Sequence, residues 1–132
     1  MASVFTHAGK AIVTNRIRAG GTEPLQAGWG KGAGTAAVTD TTLFTEAGVD
    51  ITTNAGTTRT AGTSSQVTTS QTNDTYRVVA TRTATEAGTI TNAGLFDSNT
   101  IGAGNLLCKG DFTGIVLANG DAIAFTFNLQ FT

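Results

Sequence analysis

From Ala122 to Thr132 the chain alternates without a break. Ile123, Phe125, Phe127, Leu129 and Phe131 fall on one side. Ala124, Thr126, Asn128, Gln130 and Thr132 fall on the other. A period of two is that of a strand with one face in a core, whereas a helix would scatter the five large residues around its axis. Asn119-Gly120-Asp121 supplies a turn before this strand. Residues 65–73, 75–85, 88–97 and 106–112 read as further strands. Thr72-Asn73-Asp74-Thr75 forms the turn between the first two, and residues 98–105 form a loop.

The first half is less regular. Residues 6–19 predict a short helix, with Thr6 as N-cap, a stripe of Ala8, Ala11, Ile12 and Ile17, and Gly20-Gly21 as its end. Residues 24–30 predict a strand carrying Trp29, residues 30–42 a loop, and residues 43–56 a short strand with turns. Short strands separated by turn signals, without alternating long helices, predict an all-β, mainly antiparallel fold. The expected architecture is a sandwich or jelly-roll-like barrel with one short N-terminal helix. Residues 1–132 read as a single domain, with 1–21 as an N-terminal arm and helix and 22–132 as the β-sandwich.

Composition agrees with this pattern. Threonine is the commonest residue, there are 17 Gly and one Pro, and the chain is 13% charged against about 25% in a usual domain. Thr suits strands with one wet face. The formal net charge is -1 and no basic run appears. No direct binding of nucleic acid is therefore expected, and two copies would repel one another little. Cys108 is the only cysteine, so an intramolecular disulfide is impossible. No apolar run approaches the roughly 20 residues that span a bilayer, and no export signal is recognisable, so a cytosolic product with no membrane partner is expected.

Candidate chemistry is sparse. His7 is the only histidine and has no carboxylate or cysteine beside it in sequence. Cys108 alternates with Leu106 and reads as a small buried hydrophobe. The three Glu and six Asp show no paired spacing, and zinc-ligand spacing is missing. Residues 28–34, GWGKGAG, lack the full phosphate-loop pattern and read as a glycine turn. No enzyme activity, cofactor or metal is expected. Trp29 admits two readings, a core residue or an interface anchor. Residues 54–66 hold almost no apolar anchor, so they are expected either to loop out or to pair with another chain. Trp29, Asn54, Thr57, Thr58, Arg59 and Thr60 are accordingly the candidate interface residues.

Residues 27–48, AGWGKGAGTAAVTDTTLFTEAG, 72–97, TNDTYRVVATRTATEAGTITNAGLFD, and 110–131, GDFTGIVLANGDAIAFTFNLQF, together resemble a family of small tailed-bacteriophage virion proteins. The shared pattern runs from Trp29-Gly30-Lys31-Gly32 into Thr39-Asp40-Thr41. It continues through Ile90-Thr91-Asn92-Ala93-Gly94-Leu95-Phe96-Asp97 and Gly110-Asp111-Phe112, and ends on the alternating strand. The resemblance covers most of the chain except 57–71. It implies a virion component made in the host cytoplasm, with no catalytic residues to carry over. The leading expectation is a capsid decoration (cement) protein bound to the major capsid protein, to copies of itself, or to both. A tail- or fibre-associated structural protein is the alternative, and a carbohydrate-binding β-sandwich at the host surface is a more remote one.

Overall fold

A computed structural model describes residues 1–17, 20–54, 56 and 58–132. Among the described residues nine strands and one helix follow in the order β1 (Ser3–Phe5), α1 (His7–Ile17), β2 (Gln26–Gly30), β3 (Glu46–Ala47), β4 (Thr60–Ala61), β5 (Thr63–Val67), β6 (Thr75–Thr83), β7 (Gly88–Phe96), β8 (Leu106–Leu117) and β9 (Ala122–Gln130). They build two antiparallel sheets. The larger has the order β1-β8-β7-β2-β3, with β4 also on β2; the smaller is β5-β6-β9. The all-β, sandwich-like fold expected from the sequence is thus the observed one.

The helix begins where its cap was expected. The Thr6 hydroxyl accepts the Gly9 backbone N–H at 2.9 Å, which satisfies one of the donors a helix start leaves open. Residues 18–19 of the expected helix, and the side chains of Ala11 and Ile17, lie outside the described set; the expected end, Gly20-Gly21, lies past α1, with Gly21 at φ 81°. Ile12 packs with Val78, Leu95 and Leu107, so α1 joins residues of both sheets at one end of the core. Ser3, Val4 and Phe5 pair with Gly110, Lys109 and Cys108 and extend the large sheet.

Trp29 sits at the centre of the sandwich with Ile51, Ile90 and Leu117, and Ile123 and Phe125 close over it from the small sheet. Segment 58–67 crosses between sheets: Thr60 and Ala61 pair with β2, and Thr63–Val67 pair with β6. Gly62 stands at the corner, where a Cβ would meet Val78 Cγ1 at 2.5 Å and Val79 O at 2.8 Å. Only glycine allows the two backbones to pass this close. From residue 58 onward the expected loop is strand instead, Thr60–Ala61 on β2 and Thr63–Val67 on β6; Thr58, Ala61, Thr63, Ser65 and Gln66 are exposed, and β5 is itself an end strand of the small sheet. The strand β9 does alternate, but Phe125 and Phe127 are only partly buried, because β9 is the last strand of its sheet. Phe131 lies beyond the strand and is 50% exposed.

Candidate functional site

Of the five expected interface residues that are described, Trp29 and Arg59 are buried and do not reach the surface. Trp29 is 0% exposed, and its indole N–H donates to Gly48 O at 2.7 Å. The Phe125 ring meets it edge-on at 6.5 Å, and the Arg82 guanidinium lies 4.9 Å from its ring centroid. Trp29 as an interface anchor is accordingly corrected to the core reading: no part of the indole is available to a partner. Arg59 is likewise buried, at 6%. Its guanidinium grips Glu46 with two bonds, 2.6 and 2.9 Å, and donates to Ser98 O and Ala103 O at 2.8 and 2.9 Å. It also stacks 3.4 Å from the Phe96 centroid. Thr60 accepts a bond from Arg82 through its hydroxyl, and the carbonyl of Thr58 accepts another. Asn54 adopts φ 52° and accepts the Gly48 N–H through Oδ1 at 2.8 Å. Thr57 lies outside the described residues. These side chains brace loops from within; Asn54 and Thr58 retain exposed surface.

The other chemistry-bearing groups are similarly committed. Arg82 is fully buried, and desolvation pulls its guanidinium down to about 10. Lys109 is 2% exposed, donates to Asp40 Oδ2 at 2.9 Å and to Thr42 O at 3.0 Å, and lies 3.1 Å from the Phe44 ring centroid. Asn92 accepts the Phe44 N–H and donates to Phe44 O, while Asp111 accepts the Ala36 N–H. Together they staple the 31–45 loop to β7 and β8. Asp74 accepts the N–H groups of Gln71, Ser70 and Thr69 and a bond from Gln130, which hold its carboxyl well below the usual range. His7 is exposed at the start of α1, and its backbone N–H donates to Val38 O. The Cys108 thiol is pushed up to about 12 by desolvation. At neutral pH it is protonated, and a thiol is a poor nucleophile in that state. Among the described residues no group of three His, Cys, Asp or Glu side chains is placed to hold a metal, and no helix is long and apolar enough to cross a membrane.

One feature is not internal bracing. Beside β9 the two sheets stand apart, leaving a groove of about 420 Å³. Phe125, Phe127 and Leu129 line it from the small sheet, and Val4, Phe5 and Phe112 from the large one. Along the groove runs the free edge of β9. Nine residues, AIAFTFNLQ, carry no charge, no proline and no register break against β6. Natural edges are usually blunted by just these devices. The alternating pattern of 122–132 signalled this strand, but not its position at the end of a sheet, which is a matter of long-range pairing. Compared with known proteins, the chain matches no family model, no curated protein and no solved structure.

Proposed function

We propose that this chain is a non-enzymatic structural protein of a tailed-bacteriophage particle, acting as a capsid decoration protein that binds and stabilises the major capsid shell. The observation that carries this reading is where the shared motif residues meet. Trp29 and Gly30 pair with Ala93 and Asn92 across β2 and β7, and Ala93 pairs with Gly110 across β7 and β8. Asp40 of the Thr-Asp-Thr turn bonds Lys109, which directly precedes the Gly110-Asp111-Phe112 motif. Three segments far apart in the chain are thus one sheet and the loop fastened to it. Their polar groups hold backbone in place rather than converge on a cleft. A load-resisting particle component would use such residues in this way.

The reading is tested by quantitative mass spectrometry of purified particles. A decoration protein should be present at hundreds of copies per particle. A few copies would favour the tail- or fibre-associated alternative, and absence from particles would overturn the virion reading altogether.

A further inference from the structure

Backbone geometry determines which groups of β9 face outward. The Phe131 N–H donates to Asp74 O, and the Ala84 N–H donates to Asp121 O. Both bonds lie on the register that pairs β9 with β6, in which Thr75 faces Gln130 and Thr83 faces Ala122. In an antiparallel ladder each residue turns its N–H and C=O to the same side, and successive residues alternate. The odd-numbered residues of β9 therefore bond β6. Ala122, Ala124, Thr126, Asn128 and Gln130 turn both backbone groups to the open edge. Among the described residues no hydrogen bond reaches that edge.

We infer that this edge is an interface between two copies of the chain, which pair β9 against β9 antiparallel about a two-fold axis at Thr126. Thr126 is the midpoint of the strand, so this register uses its full length. The exposed backbone groups permit this register, since outward-facing residues meet outward-facing residues: Thr126 opposes Thr126 of the other copy, and Ala124 opposes Asn128. On the groove side Phe125 comes to face Phe127, and Ile123 comes to face Leu129. Aromatic meets aromatic and aliphatic meets aliphatic, the cross-strand pairs that stabilise a sheet. With no charge on either strand, no like charges are opposed, and the net charge of -1 adds little repulsion. The added strand lies on the side where the groove is open, so apolar residues of each copy cover the partly buried phenylalanines of the other. The two small sheets become one, β5-β6-β9-β9-β6-β5. This names a partner for the assembly role proposed above, and rests on that reading only for its purpose, not for its geometry.

Sedimentation equilibrium of the purified chain should give twice the 13.4 kDa of one copy. Ala124→Lys with Asn128→Lys, both at exposed positions, should return the mass to a single copy. Ala124→Glu with Asn128→Lys should keep the dimer, because the same register then sets opposite charges face to face. A readout that perturbs the strand less is cross-linking. Hydrogen-bonded antiparallel partners lie about 5.5 Å apart at Cα, within disulfide range. Thr126→Cys should therefore cross-link to itself on mild oxidation. Ala124→Cys should not, since two such residues would sit about 13 Å apart along the strands. A monomeric unmodified chain, a dimer that survives the paired lysines, or cross-linking at 124 instead of 126 would each overturn the pairing. A monomer that is nonetheless abundant in particles would point to a strand of another protein on this edge and leave the virion reading intact. A dimer absent from particles would do the reverse.

Discussion

Arg59 and Glu46 meet through two hydrogen bonds, 2.6 and 2.9 Å, with both side chains almost wholly withdrawn from solvent. The pair joins β3 to the segment that enters β4, and the remaining guanidinium bonds reach the 98–105 loop through Ser98 O and Ala103 O. Three segments that carry few apolar residues are held by one side chain. Breaking a buried pair leaves an uncompensated charge, so Arg59→Ala or Glu46→Ala should cost about 3–5 kcal/mol. Arg59→Lys should recover little of it, because an ammonium cannot reproduce the planar fork. Urea denaturation of the three variants measures this directly. Native-state amide exchange should show protection at Arg59 and Gly62, whose N–H groups bond Asn99 O and Leu25 O.

The aromatic residues of the C-terminal segment should rank by depth rather than by type. Truncating a well-buried Phe or Trp costs about 3–5 kcal/mol, and Trp29→Ala should reach the top of that range. Phe125→Ala, from a half-open position against Trp29, should cost about 2–3 kcal/mol. Phe131→Ala, with half its surface in solvent, should cost about 1 kcal/mol or less. Equal losses at Phe125 and Phe131 in thermal or urea unfolding would contradict the position of β9 at the sheet edge.

Asp74 gives the fold an acid-sensitive turn. The N–H of Gln71 is the largest cause of its lowered pKa, followed among the lowering contacts by Ser70, the Gln130 side chain and Thr69. A carboxyl whose folded pKa lies below its unfolded value stabilises the fold fully above the unfolded value, near 3.8, and loses that contribution as pH falls through the folded value. Asp74→Asn should therefore be less stable than the unmodified chain at neutral pH. The gap should narrow below about pH 4, as the unmodified chain loses the charge the variant lacks. Unfolding curves of the two chains from neutral to acid pH provide the check.

Cys108 should be nearly inert in the folded chain. Its thiol is raised to about 12 by desolvation, so the native state holds far less thiolate at neutral pH than the unfolded chain. Alkylation by iodoacetamide should be slow in buffer and fast in denaturant. Cys108→Ala, alone or with His7→Ala, should leave association and particle incorporation close to normal, with a modest stability loss at Cys108. Rapid native alkylation would show that the thiol is not packed as described.

What the sequence by itself determined is local. Alternation from Ala122 to Gln130 specifies a strand, because side-chain period follows from backbone geometry alone. Thr6 specifies a helix start, because its hydroxyl reaches the Gly9 N–H three residues on. Gly120 serves the last turn at φ 92°, a conformation that glycine adopts without strain. The antiparallel class follows from the density of such signals. What the tertiary structure decided is who pairs with whom. The Thr- and Gly-rich segment after residue 57 looked unable to order itself, since its order comes from Arg59 reaching Glu46, Phe96 and the 98–105 loop, contacts 13 to 44 residues away. Trp29 became core rather than contact because β6 and β9 bring Arg82 and Phe125 over its ring. The open edge of β9 was equally invisible, because an edge is the absence of a neighbour, and neighbours in a sheet are set by long-range hydrogen bonding rather than by the order of residues along one strand.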